Sequence, residues 1–167
     1  MKQICESIKN EADRILELWE EIARQDPWLD LPRKHRIDGL PEVVVGIAEA
    51  SLCDPFDRES HRRKIVAAME HGRERRKQGL EDALIFTEYH LLRQAMWRFI
   101  RDGFDPRRGV EAITRIDTAI TLATIASLRG YHAQELEARG NLNEAIEQLT
   151  DQSPLLTPSS AGYSHPQ

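Results

Sequence analysis

Three ionisable side chains on two consecutive helical segments, His71, Arg75 and Glu88, have the types and the spacing to do chemistry together. The segments turn near Gly79 and Leu80, so positions equally far from the turn stand at the same height, and His71 stands level with Glu88. Glu88 falls inside the arc of Ile85, Leu92 and Ala95, and a carboxylate buried there without a donor costs several kcal/mol. Arg75 or His71 can supply that donor. A histidine beside a carboxylate can change charge around neutral pH, so the cluster reads as a ligand or proton sensor, or as the acid and base of a small helical enzyme. The competing reading is a buried hydrogen bond that fixes the hairpin. His71 itself lies around the helix from the apolar stripe of Ile65 and Met69, which argues against a dry pocket.

Other candidates are single residues. Asp117 sits beside Ile113, Ile116 and Ile120 and is either an inward polar group or an edge residue facing solvent. His61 shares the face of Ile65 and Ala68 and reads as a packed core histidine. In a globin-like sensor, His61 or His71 would instead lie near a haem or a metal. Trp19, Trp28 and Trp97 read as core or interface anchors. The chain has no Gly-rich phosphate loop, HExxH, CxxC or GxSxG, and no Glu is followed three positions later by His, as a four-helix di-metal site would require. No cofactor, metal or catalytic residue is therefore expected. Cys5 and Cys53 have neither metal-ligand spacing nor the count of a disulfide framework, which points to reduced thiols in a cytoplasmic protein.

These side chains must be positioned by helices. Ile4, Ile8, Ala12, Ile15, Trp19 and Ile22 paint one stripe on a helix from Lys2 to Arg24. Three prolines and a glycine between Gln25 and Pro41 then indicate a structured loop that packs Trp28 and Leu31. Pro41 opens a short apolar helix that ends near Asp54. Asp57 caps a third helix to about Gln78, with Gly79 closing it, and a fourth runs to about Gly103. Asp105 and Pro106 begin the longest, from Arg107 to Ala138. No stretch alternates for strand length, so the fold class is all-α: a single-domain bundle of about five helices with neighbours antiparallel, a globin-like variant being the alternative. Residues 1–139 form the bundle, and residues 140–167 add a short acidic helix and a flexible tail.

The 167 residues suffice for one domain. A net charge of −5 argues against a nucleic-acid partner, and the basic residues between Arg58 and Lys77 scatter around their helix instead of forming a stripe. The uncharged helical run Thr118 to Leu128 is too short to span a membrane, and the N-terminus lacks a signal-peptide core.

The run HGRERRKQGLEDALIFTEYHLLRQAM (71–96), with LELWEEI (16–22) and TRIDTAI (114–120), resembles the RsbRD-type N-terminal domain, the RsbT co-antagonist family at the front of bacterial stress regulators and sensor histidine kinases. The matching positions are Trp19, His71, Arg75, Gly79, Glu88, Tyr89, Leu92, Arg93 and Asp117, within a span from about Ile15 to Arg129. The resemblance implies a regulatory input module without catalysis of its own, coupling a signal or partner contact to an output protein such as a kinase. Nothing after Ala138 resembles a phosphoacceptor helix, a kinase domain or a STAS domain, so the chain is expected to be freestanding or cut from a longer protein. Residues 107–138 would form the signalling helix and share a dimer face.

Overall fold

The computed structural model describes residues 1–24 and 32–154. Among them are helices and no strands: α1 (Lys2–Asn10), α2 (Ala12–Ala23), α3 (Arg33–Arg36), α4 (Leu40–Ala48), a π-helical turn (Glu49–Cys53), α5 (Arg58–Lys77), α6 (Ala83–Gly103), α7 (Pro106–Tyr131), α8 (Ala133–Ala138) and α9 (Leu142–Asp151). The protein is all-α, one helical domain, as the periodicity requires. No helix among the described residues is long and apolar enough to cross a membrane. Trp28 and Leu31, and the tail from residue 155, lie outside the described residues.

The bundle has more breaks than five uninterrupted helices. The first expected helix divides at Glu11 (φ −118°, ψ 26°). Ile4, Cys5 and Ile8 of α1 serve α4 and the π turn, whereas Ile15, Leu16 and Trp19 of α2 are buried where α2 packs on α6. The continuous stripe in the sequence hides this change of partner. The last long helix ends at Tyr131 and not at Ala138. The Tyr131 carbonyl accepts from Arg76 (3.1 Å) and its hydroxyl donates to the Leu80 carbonyl (2.6 Å), so the chain is tied back to α5 and its following turn where the helix would have continued. The connector read as a loop contains α3. The expected caps are present: the Asp57 carboxylate accepts from Ser60 N (2.9 Å), and the Asp105 carboxylate accepts from Arg107 N (3.1 Å) ahead of Pro106. Gly79 (φ +74°) ends the α5 region in the left-handed conformation that glycine adopts at little cost.

Sequence-adjacent α5 and α6 are not the main packing pair. α5 lies chiefly against α7, and α6 packs against α2 and α7. Two glycines permit the α5–α7 crossing. A Cβ at Gly72 would fall 1.8 Å from the Ser127 carbonyl oxygen, and one at Gly130 would fall 1.9 Å from that of Met69. Backbone meets backbone there, so no side chain can yield. α4 packs on a neighbouring side of α5, with Gly46 over Lys64 and Gly39, which precedes α4, over His71. α9 buries Ala145 and Leu149, and Arg58 and Arg62 of α5 pair with its Glu147.

The cysteines correct the sequence reading. Cys5 and Cys53 form a disulfide, with Cα atoms 5.7 Å apart. Their separation of 48 residues gives no signal; they meet because α1 docks across α4 and the π turn. Gly130→Ala should destabilise the protein by about 3 kcal/mol, the upper end of overpacking costs, in urea unfolding. Alanine at Gly103, where a Cβ meets nothing within 4 Å, serves as the neutral control.

Candidate functional site

α5 and α6 are bridged by a buried carboxylate. Glu88 projects from α6 with its side chain 2% exposed, and two α5 residues one turn apart converge on it. His71 Nε2 lies 2.9 Å from Glu88 Oε2. Arg75 Nε lies 3.1 Å from each Glu88 oxygen, and an Arg75 terminal nitrogen also donates to Oε1. The backbone of the same residue is held as well: Trp19 Nε1 on α2 donates to the Glu88 carbonyl at 3.1 Å.

The cluster extends to the connector. Arg75 donates to the carbonyls of His35 (2.7 Å) and Arg36 and to Gln78 Oε1 (2.7 Å), so all five guanidinium N–H groups have acceptors. The first two carbonyls belong to the end of α3, where a helix leaves its carbonyls without intrahelical partners, and Gln78 Nε2 also donates to that of His35 at 3.4 Å. His71 Nδ1 lies 3.0 Å from the Asp38 carbonyl. Both ring nitrogens therefore face oxygen atoms. Glu20 of α2, also buried, pairs with Arg33 (2.7 Å) and Arg36 (3.0 Å) from the far side of α3.

Burial alone would push the Glu88 carboxyl upward, but the His71 charge and the His71 and Arg75 hydrogen bonds outweigh it and hold the group below the ordinary carboxyl range. Glu20 behaves alike, burial being overcome by Arg33 and Arg36. Tyr89 stands edge-on to His71, with ring centroids 6.0 Å apart, and burial pushes its hydroxyl far up. The arrangement holds an ionised carboxylate in place, and the side chains of His71, Arg75 and Glu88 are almost wholly closed to solvent.

Of the residues singled out from sequence, His71, Arg75 and Glu88 come together. Arg93 and Asp117 form a separate ion pair at 2.6 Å between α6 and α7, with Thr121 as a second partner of Arg93 at 3.3 Å. Asp117 is at the exposed edge, its side chain 44% exposed. His71 departs from expectation: it is buried, because the Gly39 end of α4 and the connector close over that side of α5. With both nitrogens engaged, it has none left for a haem or metal. His61 is packed in the core with Nε2 2.9 Å from the Pro55 carbonyl, and burial lowers its pKa.

Lys64, one of the basic residues of α5, has an environment that the scatter of charges does not show. It is buried without an ion pair among the described residues, and desolvation lowers its pKa to about 8. The signal was present: Lys64, Ala68, His71 and Arg75 follow helical spacing and share the buried side of α5. Comparison with protein-family models, curated proteins and solved structures finds no match.

Glu88→Ala should cost ~3–5 kcal/mol in chemical denaturation, the range for removing one partner of a buried charge cluster, because Arg75 and His71 are left facing no anion. Lys64 gives a pH signature. Its amine binds a proton more weakly folded than unfolded, so the native state should gain stability as pH rises from about 8 to the ordinary 10.5. Lys64→Met should abolish that rise and stabilise the protein at pH 7 by up to ~3 kcal/mol.

Proposed function

We propose that this chain is a non-enzymatic regulatory module of bacterial signalling, acting by protein–protein contact and resembling the input domains of stress regulators and sensor histidine kinases. The observation that carries this reading is the outer face of the α6–α7 pair. Phe86 and Trp97 of α6 and Val110 and Ile125 of α7 are exposed there, Val110 to 66%. Helical spacing aligns Phe86, Arg93 and Trp97 along α6, and sets Val110, Asp117 and Ile125 along one side of α7. The Arg93–Asp117 pair ties the two rows together. Exposed large apolar side chains around an ion pair are typical of contact surfaces.

The contact we assign to this face is a second copy of the chain, an arrangement in which Arg93 of one copy can reach Asp117 of the other about a twofold axis. The buried cluster around Glu88 supports the module in a structural role, holding α3 and the connector in one register. α7, which touches α5, α6 and α9, is the element through which a change at that face would spread.

Sedimentation equilibrium tests the reading. The wild-type chain should show a reversible dimer, and Val110→Glu should shift it to monomer without lowering thermal stability. A wild-type chain that stays strictly monomeric at high concentration contradicts the assignment.

A further inference from the structure

The disulfide between α1 and the π turn has an unusual neighbour. Glu6, the residue after Cys5 on α1, places Oε1 3.4 Å from Cys53 Sγ, and the ligand atoms of Cys5, Glu6 and Cys53 all lie within 4.8 Å of one another. Cys5 is buried, Cys53 is half-buried, and the Glu6 side chain is half exposed. Once the sulfur–sulfur bond is opened, two thiols and a carboxylate converge on one point at the surface. Lys9 pairs with Glu49 at 3.0 Å and more distantly with Glu6 Oε1 at 3.9 Å. Glu49 in turn also pairs with Arg63 at 3.8 Å.

We infer that Cys5, Glu6 and Cys53, in the reduced protein, form a binding site for a divalent transition metal of zinc type, with water in the fourth position. The donor set selects the ion. Two thiolates favour borderline-soft cations over magnesium or calcium, and one carboxylate completes three protein ligands, the number that leaves a tetrahedral site open. Two sulfurs each about 2.3 Å from zinc sit roughly 3.8 Å apart in a tetrahedron. Cysteines whose Cα atoms are 5.7 Å apart can reach that spacing by side-chain rotation. The solvent-facing side, where Glu6 and Cys53 lie, admits the ion and its water.

The chemistry balances in two steps. A dithiol reductant gives two electrons and two protons to the disulfide, yielding two cysteine thiols and the oxidised cyclic reductant. Zinc then displaces both thiol protons to solvent and accepts the Glu6 carboxylate. The clasp between α1 and the π turn is thereby kept in either redox state, as a covalent bond when oxidised and as a metal chelate when reduced. The inference does not depend on the regulatory reading.

Cobalt titration of the full chain, reduced with a phosphine and handled without oxygen, tests the inference. One equivalent should produce thiolate-to-cobalt charge-transfer absorption and the visible bands of tetrahedral cobalt, and zinc should bleach both. The oxidised protein and Cys53→Ser should give neither. Glu6→Gln, a change at a half-exposed position that leaves both sulfurs intact, should weaken cobalt binding by on the order of tenfold or more, at least the loss seen when a supporting ligand is disturbed. Absence of the bands in reduced wild type overturns the site, and so does unchanged affinity in Glu6→Gln.

Discussion

A carboxylate with almost no access to water stays ionised only if the protein supplies what water would have supplied. Glu88 receives it from His71 and Arg75, at 2.9 and 3.1 Å, and this one set of charge-assisted hydrogen bonds governs the packing around it. α5 and α6 follow one another in the chain, yet each packs mainly on α7 or α2. What joins them, near the turn between them, is the polar bridge. Arg75 then uses its remaining donors on the end of α3, and His71 uses its second nitrogen on Asp38. The end of α3 and Asp38 are thus held through their backbone carbonyls, with buried Glu20 pairing with the side chains of Arg33 and Arg36.

A buried ion cluster of this kind contributes less to stability than its short distances suggest, because desolvating the charges offsets much of their attraction. Its consequence is specificity. An apolar contact between α5 and α6 would tolerate sliding or rotation, whereas a guanidinium with five engaged N–H groups accepts one arrangement. The α5–α7 crossing adds a second constraint of a different physical kind. Gly72 and Gly130 let two backbones touch, which fixes the depth of the helix pair as the cluster fixes its neighbours. Lys64 runs against this economy: a cation on the same buried side with no anion to meet it.

The all-α class, the caps at Asp57 and Asp105, and the level placement of His71 and Glu88 were legible because each depends on local spacing. The positions of the helix breaks were not. The stripe from Ile4 to Ile22 is continuous in sequence, and only the different partners of α1 and α2 reveal why Glu11 leaves the helix. The close packing of α5 on α7 escaped notice for a related reason: Gly130 lies inside a helical run, where a lone glycine carries no sign that another backbone approaches. His71 looked peripheral because its burial comes from α4 and the connector, which helical periodicity of α5 cannot anticipate. The meeting of Cys5 and Cys53 likewise depends on docking between elements far apart in the chain.

The account rests on an ionised Glu88 in the dry space between α5 and α6, and the carboxyl carbon of that residue reports on it directly. A carbon-13 NMR titration of the labelled protein, with Glu88 assigned, follows its protonation while the fold is intact. The predicted midpoint lies below the ordinary glutamate value of 4.5. A midpoint above 4.5 would mean that burial dominates, that His71 and Arg75 do not hold the charge, and that the bridge described here is not what joins the two helices.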